Sequence, residues 1–327
     1  MLEDLRSGLG QILEYSQRGD FEPPTKITSF RASEDQRDFV AVDGSYSFLW
    51  NSSSLWLAVV KVGALIYRDG RIQGIEKFEK PVVISTREGF SAEDDLQATV
   101  FRLTRGAKEQ HREIVNELRK YYEHQIALEA AQSSEDIILA LDGSLASFPK
   151  ETDKLGDVVR ACEERGHLLV GVSKDSTTHA FGSPLTDEEL LRQHEGMGFI
   201  RVPEEFEAHQ RGLLHGDVYF ARLHPKAPKW FRVDIGTRKD DPEQALAEVA
   251  AYCASPLCVG YPRPLFEAHR FAVTIRQMRE MYEDAIIKEG VRLGVPVTLL
   301  VNGLTSMEGS PNGTFHQYLD QVTRELK

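Results

Sequence analysis

Asp136-Ile-Ile-Leu-Ala-Leu-Asp142-Gly-Ser144 holds five consecutive apolar residues between two aspartates. A run this short and this apolar reads as a strand covered on both faces, as in the middle of a parallel sheet. Parallel strands need long crossover connections, and helical patterns stand on either side. Upstream, residues 107–132 contain no Gly or Pro, and Ile114, Leu118, Tyr121, Ile126 and Leu128 recur at helical spacing. Downstream, residues 153–165 predict a helix and Leu168-Leu-Val-Gly-Val-Ser173 a further strand.

Working outward, Asp38-Phe-Val-Ala-Val-Asp43-Gly-Ser-Tyr-Ser47 predicts a buried strand with Asp43 at its exit. Leu55 to Tyr67 is a second strand, Asp69-Gly70 a hairpin turn, and a third strand begins near Ile72. Three strands, helix, strand, helix, strand is the order of a ribonuclease-H-like α/β core, a mixed central sheet flanked by helices. Residues 176–214 are mixed and loop-rich. Val218 to Leu223 and Trp230 to Ile235 predict a strand pair joined by His224-Pro-Lys-Ala-Pro228, and residues 243–253 and 265–288 predict helices. No repeat or low-complexity tract divides the chain. The expectation is one domain over 1–327, with an N-terminal helical extension (1–37), the core (38–290) and a C-terminal extension (291–327).

Composition sets outer bounds. Apolar residues make up 41% of the 327, enough for a full core without disulfides. Cys162, Cys253 and Cys258 form no CxxC pair, which argues against a zinc ribbon or a disulfide framework. With no long apolar run and no basic, apolar leader at Met1-Leu-Glu-Asp4, a cytoplasmic location is expected. A net charge of −12 counts against a protein that coats nucleic acid with its whole surface. It leaves room for a local basic channel, because local potential governs encounter.

Two strands end in the same tripeptide, Asp43-Gly44-Ser45 and Asp142-Gly143-Ser144. On neighbouring strands the two carboxylates would emerge at one sheet edge and attract Mg²⁺ or Mn²⁺, which prefer hard oxygen ligands. A third carboxylate on the preceding helix would complete a site for two ions, an arrangement that cleaves phosphodiesters. Either tripeptide alone is more often a plain turn.

Taken in order, Phe39-Val-Ala-Val-Asp-Gly-Ser45, Ile137-Ile-Leu-Ala-Leu-Asp-Gly-Ser-Leu145, Gly171-Val-Ser-Lys-Asp-Ser176 and Gly260-Tyr-Pro-Arg-Pro-Leu-Phe-Glu-Ala-His269 resemble the motifs of NurA nucleases. The resemblance implies a ribonuclease-H-like core, a ring-shaped homodimer, and Mn²⁺-dependent cleavage of single- and double-stranded DNA, with Mg²⁺ as the alternative ion. It implies 5′ to 3′ exonuclease and single-strand endonuclease action, a hexameric HerA-type ATPase as partner, and a setting in DNA-end resection for recombinational repair. By the same resemblance Asp43 bridges the metals, Asp142 is a further ligand, and a helix glutamate joins them. Glu123 fits that position by context, whereas periodicity puts Glu129 nearer the apolar stripe. Lys174 would hold the scissile phosphate as a point charge. His269 would ligate metal or move a proton, and Tyr261 would orient phosphate or water.

Arg222, Lys226, Lys229, Arg232, Arg238 and Lys239 cluster around Trp230 and Phe231. Basic side chains interleaved with aromatics suit a DNA strand whose phosphates need neutralising and whose bases can stack. An ordinary charged hairpin carries the same pattern. The N-terminal helix and the 303–327 tail are the expected contacts with a motor. Two other functions fit the topology. An actin-like or sugar-kinase phosphotransferase grips phosphate with Asp-x-Gly-Ser/Thr, but here Gly44 directly follows Asp43. A catalytically inactive adaptor of a DNA motor would keep the fold alone.

Overall fold

Strands β1 (Phe39–Asn51), β2 (Leu55–Arg68) and β3 (Arg71–Ser85) are long, and β-branched and aromatic residues recur along each of them. Gly70, at φ +69°, turns β2 into β3, a conformation glycine adopts without steric cost. β4 (Gly89–Ser91) adds antiparallel to β3, with Val83 opposite Ser91. The third strand begins at Arg71, one residue from the expected start. These elements come from a computed structural model that describes residues 26–51, 55–68, 70–85, 89–91, 111–146, 154–183, 185–192, 194–209, 213–236 and 241–304. The expected helix in the first part of the N-terminal extension, the 305–327 tail, Arg238 and Lys239 lie outside the described residues.

β1 departs from expectation in one respect that bears on function. The strand does not stop at Asp43 but runs on through Gly44 and Ser45 to Asn51. Asp43 therefore sits inside a continuous strand. At the second tripeptide the chain does turn. β5 (Ile138–Asp142) ends on Asp142, and Gly143 follows at φ +124°.

Beyond β3 come α1 (His111–Ser133), β5, α2 (Lys154–Arg165) and β6 (Leu168–Ser173), all where the sequence placed them to within a few residues. The loop-rich stretch contains three short elements the sequence did not announce: α3 (Asp187–Leu191), β7 (Gly198–Arg201) and α4 (Glu204–His209). β8 (Asp217–Arg222), β9 (Phe231–Ile235) and α5 (Pro242–Ala250) follow. Three C-terminal helices close the described chain: α6 (Arg263–Gln277), α7 (Arg279–Arg292) and α8 (Val297–Leu304). The single helix expected over 265–288 is broken at Met278, where φ −84° and ψ 3° leave helical geometry. Among the described residues, the hydrogen-bonded strand order is β4-β3-β2-β1-β5-β6-β9-β8-β7.

Two compact units divide this chain. Unit 1 comprises residues 1–41, 66–74 and 130–266. In it β5 and β6 pair in parallel from Ile138↔Leu168 to Asp142↔Val172, and β6-β9-β8-β7 continue antiparallel. Ile138, Leu139 and Ala140 have no exposed surface, as expected of an apolar central strand. The packing around β7 and β8 centres on Phe181, Leu191, Ile200, Phe220 and Trp230. His167 ties three elements together. Its Nδ1 accepts from the Ile137 amide (3.3 Å) and its Nε2 donates to the Ala131 carbonyl (2.9 Å).

Unit 2 comprises residues 42–65, 75–129 and 267–327. Leu49, Val59 and Ile275 form a buried cluster with Tyr282 and Ile286 of α7 against it. Trp50 donates from Nε1 to the Leu300 carbonyl (2.9 Å), and Gly290 leaves room for the Leu300 side chain. α7, α8 and their connection expose Met281, Val291, Leu293, Val297, Leu299 and Val301. Among the described residues no helix is long and apolar enough to cross a membrane.

Candidate active site

In unit 1 the chemistry gathers at the end of β5. Asp142 pairs in register with Val172, so Lys174, just past the end of β6, projects from a neighbouring position. The Lys174 ammonium forms an ion pair with Asp142 Oδ2, and the Tyr261 hydroxyl donates to Asp142 Oδ1 (3.0 Å). Lys174 Nζ also lies 5.7 Å from the Tyr261 ring centre, and that ring packs on Phe231 at 5.5 Å. Asp142 is largely enclosed while the lysine side chain keeps about a third of its surface in solvent, at 12% and 35% exposure. A carboxylate so held is fixed in orientation, and its oxygens suit a hard cation. The sequence-predicted Asp142, Lys174 and Tyr261 are thus direct neighbours.

In unit 2 the corresponding residue is Asp43, only 3% exposed. Its Oδ1 accepts from the Gly44 amide (2.7 Å) and its Oδ2 lies 2.8 Å from His269 Nδ1 on α6. An ionised carboxylate only accepts, so the shared proton belongs to Nδ1. Glu123 approaches the same strand from α1. A Cβ on Gly44 would stand 2.6 Å from Glu123 Oε1, so glycine is what admits this carboxylate beside the β1 backbone. Glu123 is buried and ion-paired with Arg119 one helical turn earlier.

The choice between the two helix glutamates rests on the phase of α1. Its buried stripe is Val115, Leu118, Tyr122, Ile126 and Ala130, whereas Ile114, Tyr121 and Leu128 are only half-buried. The stripe is turned by about one residue from the expected one. That turn carries Glu123 inward and leaves Glu129 exposed, where Gln125 donates to it (3.3 Å). Sequence reasoning passed over Arg119, although the Arg-x-x-x-Glu spacing was the available signal.

The basic and aromatic cluster of β8 and β9 is arranged differently from its sequence reading. Trp230 is 2% exposed, in the core, so no base can stack on it. Arg222 donates to the carbonyls of His194 (2.9 Å) and Ala227 (2.9 Å), holding the loop together. Arg232 is buried and paired with Asp234. Lys229 bridges Asp175 (2.8 Å) and Glu188 (3.3 Å). β9 is buried along its whole length, so the polar groups of this hairpin find partners inside the protein. Lys226 is exposed.

A family model of the NurA domain matches residues 37–274. The chain belongs to the NurA domain family. The NurA match spans Asp43, Glu123, Asp142, Lys174, Tyr261 and His269, the six residues singled out from the sequence. Among solved structures, the NurA nuclease from Sulfolobus solfataricus superposes with a TM-score of 0.56 at 16% identity, covering 88% of this chain and 96% of that one. This establishes a shared fold of ribonuclease-H-like type. Endonuclease V from Ciona intestinalis, solved with a DNA 24mer containing an inosine, aligns with a TM-score of 0.42 at 15% identity, covering 85% and 99% of the two chains. No curated protein matches the chain in sequence.

Proposed function

We propose that this NurA-family chain is a metal-dependent DNA nuclease. The observation that carries the reading is the Asp142 carboxylate, set at the end of a central strand and held by the Lys174 ammonium and the Tyr261 hydroxyl. Two further features support it. Asp43, Asp142 and His269 offer two carboxylates and an imidazole, a donor set that suits Mn²⁺ or Mg²⁺. Within unit 2, Glu123 lies beside Gly44 next to Asp43, which adds a second carboxylate near that aspartate.

In this reading Asp43, Asp142 and His269 hold the ion or ions, with Glu123 beside Gly44 as a further carboxylate. A bound divalent ion supplies Lewis-acid stabilisation of the phosphate and activation of water. The chain's own groups do the rest. Lys174 offers a positive point charge to the phosphate, Tyr261 fixes the rotamer of Asp142, and His269, hydrogen-bonded through Nδ1 to Asp43, presents Nε2 either as a metal ligand or, in its place, as the atom that takes or gives a proton. Lys174 and Lys229 are the cations proposed to meet the DNA backbone.

Family resemblance supports the finer reading: 5′ to 3′ exonuclease and single-strand endonuclease action with Mn²⁺, in DNA-end resection with a HerA-type hexameric ATPase. Family resemblance supports a homodimer, and the exposed apolar side chains on α7 and α8 are the surface proposed to meet the second copy. The test is cleavage of end-labelled single- and double-stranded DNA with Mn²⁺, with and without chelator. Metal-dependent degradation that disappears in Asp142→Ala, with DNA binding retained, is the expected result. A chain that binds DNA but never cleaves it would be an adaptor.

A further inference from the structure

Asp234 is among the most deeply buried charged residues described, 1% exposed on β9. Its two oxygens receive Arg232 in a fork, Nε to Oδ1 at 2.8 Å and Nη2 to Oδ2 at 2.9 Å. Oδ2 also accepts the Leu145 backbone amide at 2.9 Å. Leu145 lies three residues after Asp142, at the far end of the Asp142-Gly143-Ser144 turn.

The path of that turn explains why an acceptor stands there. In register, Asp142 faces Val172 on β6, and Asp234 faces Gly171 from the other side of the same strand. The turn must therefore cross over β6 to reach β9. Gly171 is the crossing point: a Cβ there would meet the Gly143 carbonyl oxygen at 2.6 Å and Leu145 Cγ at 2.9 Å. The near side of the turn is tied down by the Gly143 amide donating to the Val172 carbonyl (3.0 Å). The far side is tied by Asp234 to the Leu145 amide, and by the Leu145 carbonyl accepting from His215 (2.9 Å). Leu145 has no exposed surface, so water cannot replace Asp234 as the acceptor.

From this geometry we infer that Asp234, locked in one rotamer by Arg232, is a positioning residue for the Asp142 carboxylate. It acts through the backbone of residues 143–145 and touches neither Lys174 nor Tyr261. A buried ion pair is a poor device for stability alone, since an apolar pair of similar volume does as well. It is a good device for fixing one hydrogen-bond geometry, because the guanidinium fork allows a single carboxylate orientation.

The inference rests on Asp142 being part of the nuclease centre, and the experiment separates the two. Steady-state cleavage of labelled DNA with Mn²⁺ is measured for the parent, Asp142→Asn, Asp234→Asn and Asp234→Leu, alongside DNA affinity and thermal unfolding. If Asp142→Asn cleaves like the parent, the active-site reading fails. If it is inactive, the Asp234 variants decide the positioning role. Asp234→Leu is expected to lower kcat about tenfold to a hundredfold with KM and DNA affinity unchanged, the penalty of a slightly misplaced catalytic group. Asp234→Asn, which keeps an acceptor for Leu145, should recover part of that loss. A kcat within twofold of the parent in folded Asp234→Leu, or a loss confined to KM, overturns the inference. Should Asp234→Leu not fold, Asp234→Asn alone decides: a kcat several-fold below the parent at unchanged KM supports the role, and a parental kcat refutes it.

Discussion

His269 Nδ1 lies 2.8 Å from Asp43 Oδ2, joining α6 to the middle of β1 within unit 2. The imidazole keeps 43% of its side-chain surface exposed while the carboxylate beneath it is almost fully enclosed. The ring therefore faces solvent from a buried anchor, the placement that the proposed function asks of it.

Replacing His269 with Ala should lower the DNA cleavage rate by about a hundredfold, in the range typical of a lost general acid or base. Thermal unfolding should shift little, because the ring is half in water. Rate measurements on a labelled duplex with Mn²⁺, paired with a melting curve, check both halves of this expectation.

Tyr261→Phe removes only the hydroxyl that donates to Asp142 and keeps the ring against Phe231 and Lys174. Cleavage should fall about tenfold, the worth of one hydrogen bond to a charged group, with stability unchanged within about 1 kcal/mol. A variant as fast as the parent would separate Tyr261 from the chemistry.

Gly171→Ala places a methyl against the Gly143 carbonyl and Leu145. Neither obstacle is the free end of a flexible side chain, so the turn after Asp142 must move. A loss of about 1 to 3 kcal/mol in urea unfolding is expected, as for overpacking elsewhere, together with a drop in cleavage larger than that seen with Gly166→Ala.

Burial pushes the Cys162 thiol up to about 12 and raises that of Cys253 well above its usual value. In the unfolded chain these thiols ionise near 9. The folded form therefore holds protons the unfolded form releases, and the associated stability, complete below pH 9, declines as pH rises toward 12. The decline should be on the order of 1 kcal/mol per pH unit and per thiol above pH 9, and Cys162→Val should remove its share. Urea unfolding at pH 8 and pH 10 measures this. At pH 8 an alkylating reagent should modify Cys258, which is partly exposed, before the other two.

Much of the fold was legible because its signals are short in range. The apolar run of β5, the Asp69-Gly70 turn and the gapless helix before β5 each depend on a few adjacent residues, and the elements appeared within a few positions of their expected ends. The failures have a different origin. The extension of β1 past Asp43 through a turn-like Asp-Gly-Ser depends on strand partners, which outweigh local turn preference. The phase of α1 was misjudged because Ile114, Tyr121 and Leu128 are apolar yet only half-buried, and that error hid the inward side of Glu123. The charged hairpin misled because Arg232 finds its counter-ion two residues along its own strand, and nothing in a charge pattern distinguishes an internal fork from a solvent-facing cation. The break at Met278 has no Gly or Pro to announce it.

The unlike settings of the two Asp-Gly-Ser sequences reach further than geometry. One aspartate is embedded in an unbroken thirteen-residue ribbon, the other sits at a bend anchored from a neighbouring strand. Damage or tuning at residues 143–145 therefore reaches one carboxylate and spares its counterpart. Under the proposed reading, substitutions in that bend would grade turnover through Asp142 while leaving the β1 ribbon intact.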